Sequence, residues 1–312
     1  ARHHMELVRG LHNLRPRHRG CAATIGNFDG VHLGHQSVLG QLAERATELQ
    51  VPVTVVTFEP QPREYFSPQT APPRLTRFRE TVEALRRFGV DRVVSVRFDS
   101  RIAEMTPDAF IRQILLDGLG VKYLVVGDDF RFGRDRAGTF AMLQQAGDEH
   151  DFPVVNMHTF DIKGARVSST RIRDALASGD LAAAEALLGR QFRMSGRVAH
   201  GDKRGRQIGF PTANIHLHRA ATPVSGVFAV EMFGLPHEPV PGIANVGTRP
   251  TVDGTRTLLE VNLFNFSGNI YGCHVQVEFL KKIREERRFA SFELLKEQIE
   301  RDVVKARVYF GL

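Results

Sequence analysis

Thr24-Ile25-Gly26-Asn27-Phe28-Asp29-Gly30-Val31-His32-Leu33-Gly34-His35 follows an apolar run, Cys21-Ala22-Ala23-Thr24-Ile25, and precedes apolar positions at Leu39, Leu42, Ala43, Ala46 and Leu49. The run reads as a strand, the later spacing as a helix, and the glycines between them as the turn. A turn of this kind presents backbone N–H groups at a helix N-terminus, where an anion is favoured, and glycine lets the backbone approach that anion closely. His32 and His35, three residues apart, share one helical face. An ordinary tight turn carrying two solvated histidines is the plain alternative. No Gly-Lys-Ser/Thr follows, so this is not a P-loop, and the glycine spacing does not fit a dinucleotide fold.

Outward from this stretch, the first half alternates the two patterns. Strands are expected at 51–58, 93–96, 123–126 and 154–157, helices at 79–88, 107–116 and 139–145, and a helix from Asp174 to Leu188. Alternation of this kind predicts a parallel sheet wrapped by crossover helices, with ligands at the carboxyl ends of the strands. Two of those ends are aromatic. Phe58-Glu59-Pro60-Gln61-Pro62 with Phe66, and Gly127-Asp128-Asp129-Phe130-Arg131-Phe132-Gly133, mix phenylalanine with charge, which suits a flat heteroaromatic ring carrying a phosphate. Arg166-Val167-Ser168-Ser169-Thr170-Arg171 opens a helix, so its hydroxyls read as an N-cap, and the flanking arginines make the same end a second polyphosphate site.

The second half changes character. Short strand-like runs at 194–199, 226–232, 242–246, 258–264 and 274–279 are separated by Gly, Pro and Asn turns, which predicts a small antiparallel barrel, and a helical pattern over 291–309 closes the chain. The basic glycine-rich stretch Gly201-Asp202-Lys203-Arg204-Gly205-Arg206 leads into Gly209-Phe210-Pro211-Thr212-Ala213-Asn214. In extended chain Thr212 and Asn214 point to one face, as two oxygen ligands for a hard cation would. Glu260 is the one acid on the apolar strand Leu258–Phe264.

Composition limits the choices. The chain has 312 residues, 42% hydrophobic and 25% charged, with two cysteines far apart and no membrane-length apolar run. That predicts a cytoplasmic globular protein of two domains, without a disulfide framework, and with Ala1–His4 reading as an addition ahead of a native Met5. Lys and Arg number 24 against 23 Asp and Glu up to Glu185, and 18 against 12 beyond it. The basic second half suits either nucleic acid or polyphosphate.

The opening stretch resembles the H-x-G-H signature of nucleotidyltransferases. With its G-N-F-D-G-V-H prefix, F-x-P-x-P, G-D-D-F-R-F-G, a hydroxyl–arginine motif and G-F-P-T-A-N in order, the whole chain resembles the bacterial bifunctional riboflavin kinase/FMN adenylyltransferases. The resemblance implies a Rossmann-like nucleotidyltransferase α/β domain over 1–185 and a riboflavin kinase β-barrel with a C-terminal helix over 186–312. It assigns adenylyl transfer to His32 and His35, its ATP to Gly26, Asn27, Phe28, Asp29, Gly34, Arg166, Ser169 and Thr170, and its flavin to Phe58, Pro60, Phe66, Asp129 and Phe130. It assigns the kinase's ATP to Gly201, Lys203, Arg204, Arg206, Pro211, Thr212 and Asn214, Mg²⁺ to Thr212 and Asn214, and the base to Glu260. ATP, riboflavin and FMN are then the partners, with no nucleic acid, membrane or obligatory protein partner. Asn262 and Asn265 depart from the family's usual His and Asp. An adenylyltransferase acting on another acceptor, and a basic RNA-binding barrel, are the competing readings.

Overall fold

A computed structural model describes residues 4–127, 129–157, 161–162, 165–199, 212–236, 239–252 and 254–312. Contacts divide the chain into two compact units, one of residues up to Pro72 with Phe78–Val167, the other of Pro73–Arg77 with Ser168–Leu312.

The first unit is built on six parallel strands, β1 (Glu6–Arg9), β2 (Cys21–Ile25), β3 (Val53–Glu59), β4 (Arg92–Arg97), β5 (Val121–Val126) and β6 (Val154–Asn156), in the order β1-β4-β3-β2-β5-β6. A parallel sheet is covered on both faces, so its strands read as unbroken apolar runs, and every residue of β2 is buried. Alternation sorts those residues. Ala23, Ile25, Val56, Val94 and Leu124 join a core covered by Phe110, Ile114 and Leu143, whereas Ala22, Val55, Val93 and Val125 join a core covered by Val38, Leu39 and Leu42 of the helix Leu33–Leu49. Each leucine so buried contributes about 1.5–3 kcal/mol against exposure. The chain leaves β2 toward β3 on one side while β5 lies on the other, so the order reverses at the end of β2, which opens a crevice just where Gly26 and Asn27 begin.

The expected elements appear with two differences. The helix expected over 107–116 starts at Pro107 but widens into a π-helix over Ile111–Gly118. The single helix expected from Asp174 to Leu188 is two, Ser169–Ala177 and Leu181–Leu188. Gly179 takes a φ of +79° and Asp180 caps the second, its Oδ1 accepting from Ala183 N at 3.0 Å, so a turn and cap outweigh the alanine-rich propensity on either side. Two further antiparallel strands, β7 (Asp161–Ile162) and β8 (Ala165–Arg166), form a short ribbon.

The second unit is a closed barrel of β9 (Arg193–Ala199), β10 (Ala213–His216), β11 (Gly226–Phe233), β12 (Val240–Thr251), β13 (Gly254–Leu263) and β14 (His274–Arg284), in the order β10-β13-β12-β11-β14-β9. All its pairings are antiparallel. Leu259, Val261, Ala244 and Val246 are buried, and the residues alternating with them are more open. The helix Phe292–Phe310 covers part of the outer face, packing Ala306, Val303 and Phe310 against Val227, Ala229, Ile243 and Phe264. Asn265, just past β13, takes a φ of +52°, a conformation asparagine tolerates better than most side chains. The short segment Pro73–Arg77 belongs to this unit: Arg173 Nε donates to Pro73 O at 2.8 Å, Arg219 Nη2 to Leu75 O at 2.9 Å and Arg77 Nη2 to Ser195 Oγ at 3.4 Å.

Candidate functional site

The turn after β2 is under strain. Phe28 and Val31 adopt φ values of 54° and 41°, and for β-branched Val31 this is a conformation that costs on the order of 1–3 kcal/mol. Burial offsets it, since Val31, Phe28 and Asp29 are all enclosed. The turn delivers His32 to the N-cap of the helix Leu33–Leu49, where two histidines cap reciprocally. His35 N donates to His32 Nδ1 at 3.3 Å and His32 N donates to His35 Nδ1 at 3.2 Å. The rings stack with centroids 3.6 Å apart and 14° between planes, and Phe28 lies against His35 at 4.8 Å. Because each Nδ1 accepts, each neutral ring carries its proton on Nε2. Gly34 makes room for this, as a Cβ there would lie 2.9 Å from His32 Cε1. Sequence reading saw the pair and the glycine, but not that the histidines are their own cap.

Beside this turn lies a cavity of about 1160 Å³ within the first unit. Gly26, Asn27, Phe58, Phe66, Asp129 and Phe130, six of the expected residues, line it. Pro60 is not in the lining, whereas Pro62 is. The expected phenylalanines are joined by Tyr65, Phe98, Phe110 and Phe132. Phe98 packs edge-on against Phe58, Tyr65 and Phe66 at 5.6, 5.3 and 5.7 Å, and Phe132 contacts Phe110 and Phe130 at 4.9 and 5.7 Å. Arg63, Arg131, Arg134 and Arg136 add cationic groups to the same walls. Asn27 Oδ1 is buried and has no hydrogen-bond partner among the described residues, so an acceptor stands ready at the cavity edge. Gly127 leaves space for the Asp129 carboxylate, 2.8 Å from where a Cβ would sit. Asp128 lies outside the described residues.

Arg166 is exposed on β8 at the end of the first unit. Ser168 is the N-cap of the following helix, accepting from Arg171 N at 3.1 Å, and with Ser169 and Thr170 it belongs to the second unit.

In the barrel, register gathers what sequence could only place strand by strand. Glu260 on β13 stands opposite Asn214 on β10 and opposite Asn245 on β12, so two amides flank the carboxylate on one face. That face is the outer one, opposite the buried Leu259 and Val261, and it is populated by polar partners rather than bare solvent. Arg249 Nη2 lies 4.0 Å from Glu260 Oε1. Thr212 immediately precedes β10 and shares the face of Asn214 by its two-residue spacing. Asn262 stands opposite Ile243, one step along that face from Glu260. Gly201, Lys203, Arg204, Arg206 and Pro211 lie outside the described residues. Asn245 lies in the strand expected over 242–246 and Arg249 beyond it; pairing with Glu260 is what marks them. Among the described residues no group of three or more His, Cys, Asp or Glu side chains is placed to hold a metal, and no helix is long and apolar enough to cross a membrane.

Comparison with known proteins gives this geometry a family. Residues 14–171 match the family described as FAD synthetase, and residues 188–310 match riboflavin kinase. The bifunctional riboflavin kinase/FMN adenylyltransferase of Escherichia coli strain K12 is 53% identical over 309 residues, 99% of both chains. The protein of the same name from Haemophilus influenzae is 53% identical over 307 residues, 98% of this chain and all of its own. A crystal structure described as a macrolide-efflux protein from Streptococcus pneumoniae shares the fold, with a TM-score of 0.78 and 30% identity, covering 97% of this chain and 99% of that one. With relatives matched from end to end and a family model for each part, the chain belongs to the bifunctional riboflavin kinase/FMN adenylyltransferase family.

Proposed function

We propose that the barrel phosphorylates riboflavin and that the parallel-sheet unit adenylylates the FMN so formed, each with its own ATP. In the first reaction the 5′-hydroxyl of riboflavin attacks the γ-phosphorus of ATP, an O–P bond forms, and ADP leaves. Glu260 accepts the hydroxyl proton, and its neighbours Asn214 and Asn245 hold the carboxylate's surroundings polar. Thr212 and Asn214 are neutral oxygen donors side by side, a set that fits Mg²⁺ only when ATP oxygens complete the shell. When bound, Mg²⁺ would supply charge neutralisation at the phosphates. Lys203, Arg204 and Arg206, with Gly201 and Pro211, are assigned to the phosphates on the sequence motif.

In the second reaction an FMN phosphate oxygen attacks the α-phosphorus of ATP and pyrophosphate leaves. The nucleophile is already anionic, so the protein must position two phosphates and stabilise the charge that grows between them. Nε2–H donors on His32 and His35, with the N-terminal backbone amides of the helix they cap, serve that end, and Asn27, Asp29 and Gly34 shape the turn. The aromatic cavity takes the isoalloxazine ring between the Phe58–Phe98 and Phe130–Phe132 walls. Arg166, Ser169 and Thr170 are assigned to ATP on the hydroxyl–arginine motif. The proposed reactions take ATP and flavins, with no obligatory protein partner, in the cytoplasm.

The observation that carries the reading is the flavin-sized aromatic cavity opening at Gly26 and Asn27, next to the histidine-capped helix. Incubation with riboflavin, ATP and Mg²⁺, followed by separation of flavins over time, should show FMN rising before FAD. FAD without transient FMN, or neither product, would overturn it.

A further inference from the structure

The outer face of β12 and β13 carries more than the base and its two amides. Side chains two apart share a face, so Gly247 and Arg249 continue the row begun by Asn245. After β14 the chain turns back over this row. Arg284 anchors the turn, its Nε donating to Asp302 Oδ2 at 2.8 Å on the terminal helix and its Nη1 to Glu285 O at 3.0 Å. Asp302 is held in place by Gln298, whose Nε2 donates to its Oδ1 at 2.9 Å. Glu285 is drawn aside by Lys282. Glu286 is thereby laid on Gly247, where a Cβ would collide with its carboxylate. Burial pushes the Glu286 carboxyl up, and the Arg284 and Arg249 guanidinium groups oppose that rise. Arg249, 4.0 Å from Glu260, thus shares its strand face with the Glu286 carboxylate laid over Gly247 two residues away.

We propose that Glu286 is a positioning residue of the riboflavin kinase site, sharing Arg249 with Glu260 so that the guanidinium does not close onto the base. A guanidinium in direct contact with a carboxylate, at about 2.7–2.9 Å, occupies the lone pairs that an incoming hydroxyl must reach. At the longer separation Glu260 keeps those lone pairs for the substrate, and Arg249 remains a cation beside the charge that grows on the transferring phosphoryl group. Gly247 is the space that lets Glu286 do this. The proposal rests on Glu260 as the base.

Glu286→Gln keeps the shape and removes the charge; Gly247→Ala keeps the charge and displaces it. Kinase kcat and KM are measured for both in the full chain, with FAD formation from supplied FMN as the reference for a folded protein. Glu286→Gln is expected to lower kinase kcat about two- to fivefold, the worth of one exposed charge contact, with KM for riboflavin and ATP within about twofold. Gly247→Ala should match it, and both losses should vanish in an Arg249→Gln background. Unchanged kcat in both variants, a loss carried by KM, or an equal loss without Arg249 would overturn the proposal. Failure of the base assignment is read separately, as full kinase activity in Glu260→Gln.

Discussion

Replacing Gly34 with alanine separates stability from activity in a way the cap geometry makes quantitative. The new Cβ would lie 2.9 Å from His32 Cε1 and 3.1 Å from its Nδ1, tighter than side chains tolerate. His32 is buried and stacked on His35, so its ring has to tilt, and the capping bonds at 3.2 and 3.3 Å are already long. Losing that cap costs about 1 kcal/mol. Gly34 has no left-handed φ and sits in the first helical turn, so alanine returns up to about 1 kcal/mol of helix propensity. The two nearly cancel, and calorimetry should find Tm within about 4 °C of the parent. Catalysis has no such offset, because a displaced donor in a preorganised charge-stabilising site typically costs ~10²-fold in rate. FAD formation from FMN and ATP should fall by that factor while riboflavin phosphorylation is unchanged. FAD formation that stays within about threefold of the parent would refute the role given to the histidine pair.

Three further outcomes follow from other parts of the molecule. Glu260→Gln should lower riboflavin phosphorylation by ~10²–10⁴-fold and spare FAD formation when FMN is supplied; parallel loss of both would contradict the division of labour. Phe98→Ala removes three edge-on ring contacts, each worth about 0.5–1.5 kcal/mol, and should raise KM for FMN about tenfold with little change for ATP, so an unaltered KM would place the flavin elsewhere. Glu6 pairs with Arg17 and His18 at 2.7 and 2.9 Å and with Arg92 at 3.3 Å, and these partners, Arg17 foremost, lower its carboxyl to about 2. A depressed folded value gives stability that is present above the unfolded value of 4.5 and is lost as pH falls toward 2. Urea midpoints should therefore fall more steeply over that window in the parent than in Glu6→Gln, and matching slopes would dismiss the cluster as a stabilising element.

What could be read beforehand depended on how local the cause was. The strand–turn–helix at Gly26 to His35 is written in consecutive residues, and so are the barrel strands. Thr212 and Asn214 could be put on one face from their spacing alone. Phe98 could not be joined to Phe58 and Phe130, since the three come from different strand ends and meet only once the sheet order is known. Asn245 needed the register of β12 against β13 to become a neighbour of Glu260. Alanine on either side hides the break at Gly179, although Ser-Gly-Asp is a stop followed by a cap. The π-helix at Ile111–Gly118 changes hydrogen bonding without changing which residues are apolar, so periodicity is blind to it.

The segment Pro73–Arg77 has a consequence for how the chain is made. Its carbonyls and guanidinium meet Arg173, Ser195 and Arg219 across sequence separations of 100, 118 and 144 residues. At a synthesis rate of about 5–20 residues per second, the segment leaves the ribosome roughly 5–30 s before those partners exist. The parallel sheet can close around β3 and β4 in that interval, while the five residues between them wait for a barrel not yet translated. A fragment begun at Ser168 never receives them, so the guanidinium groups of Arg173 and Arg219 would lose their carbonyl acceptors, and the second enzyme cannot be cut from the first at a single point without loss.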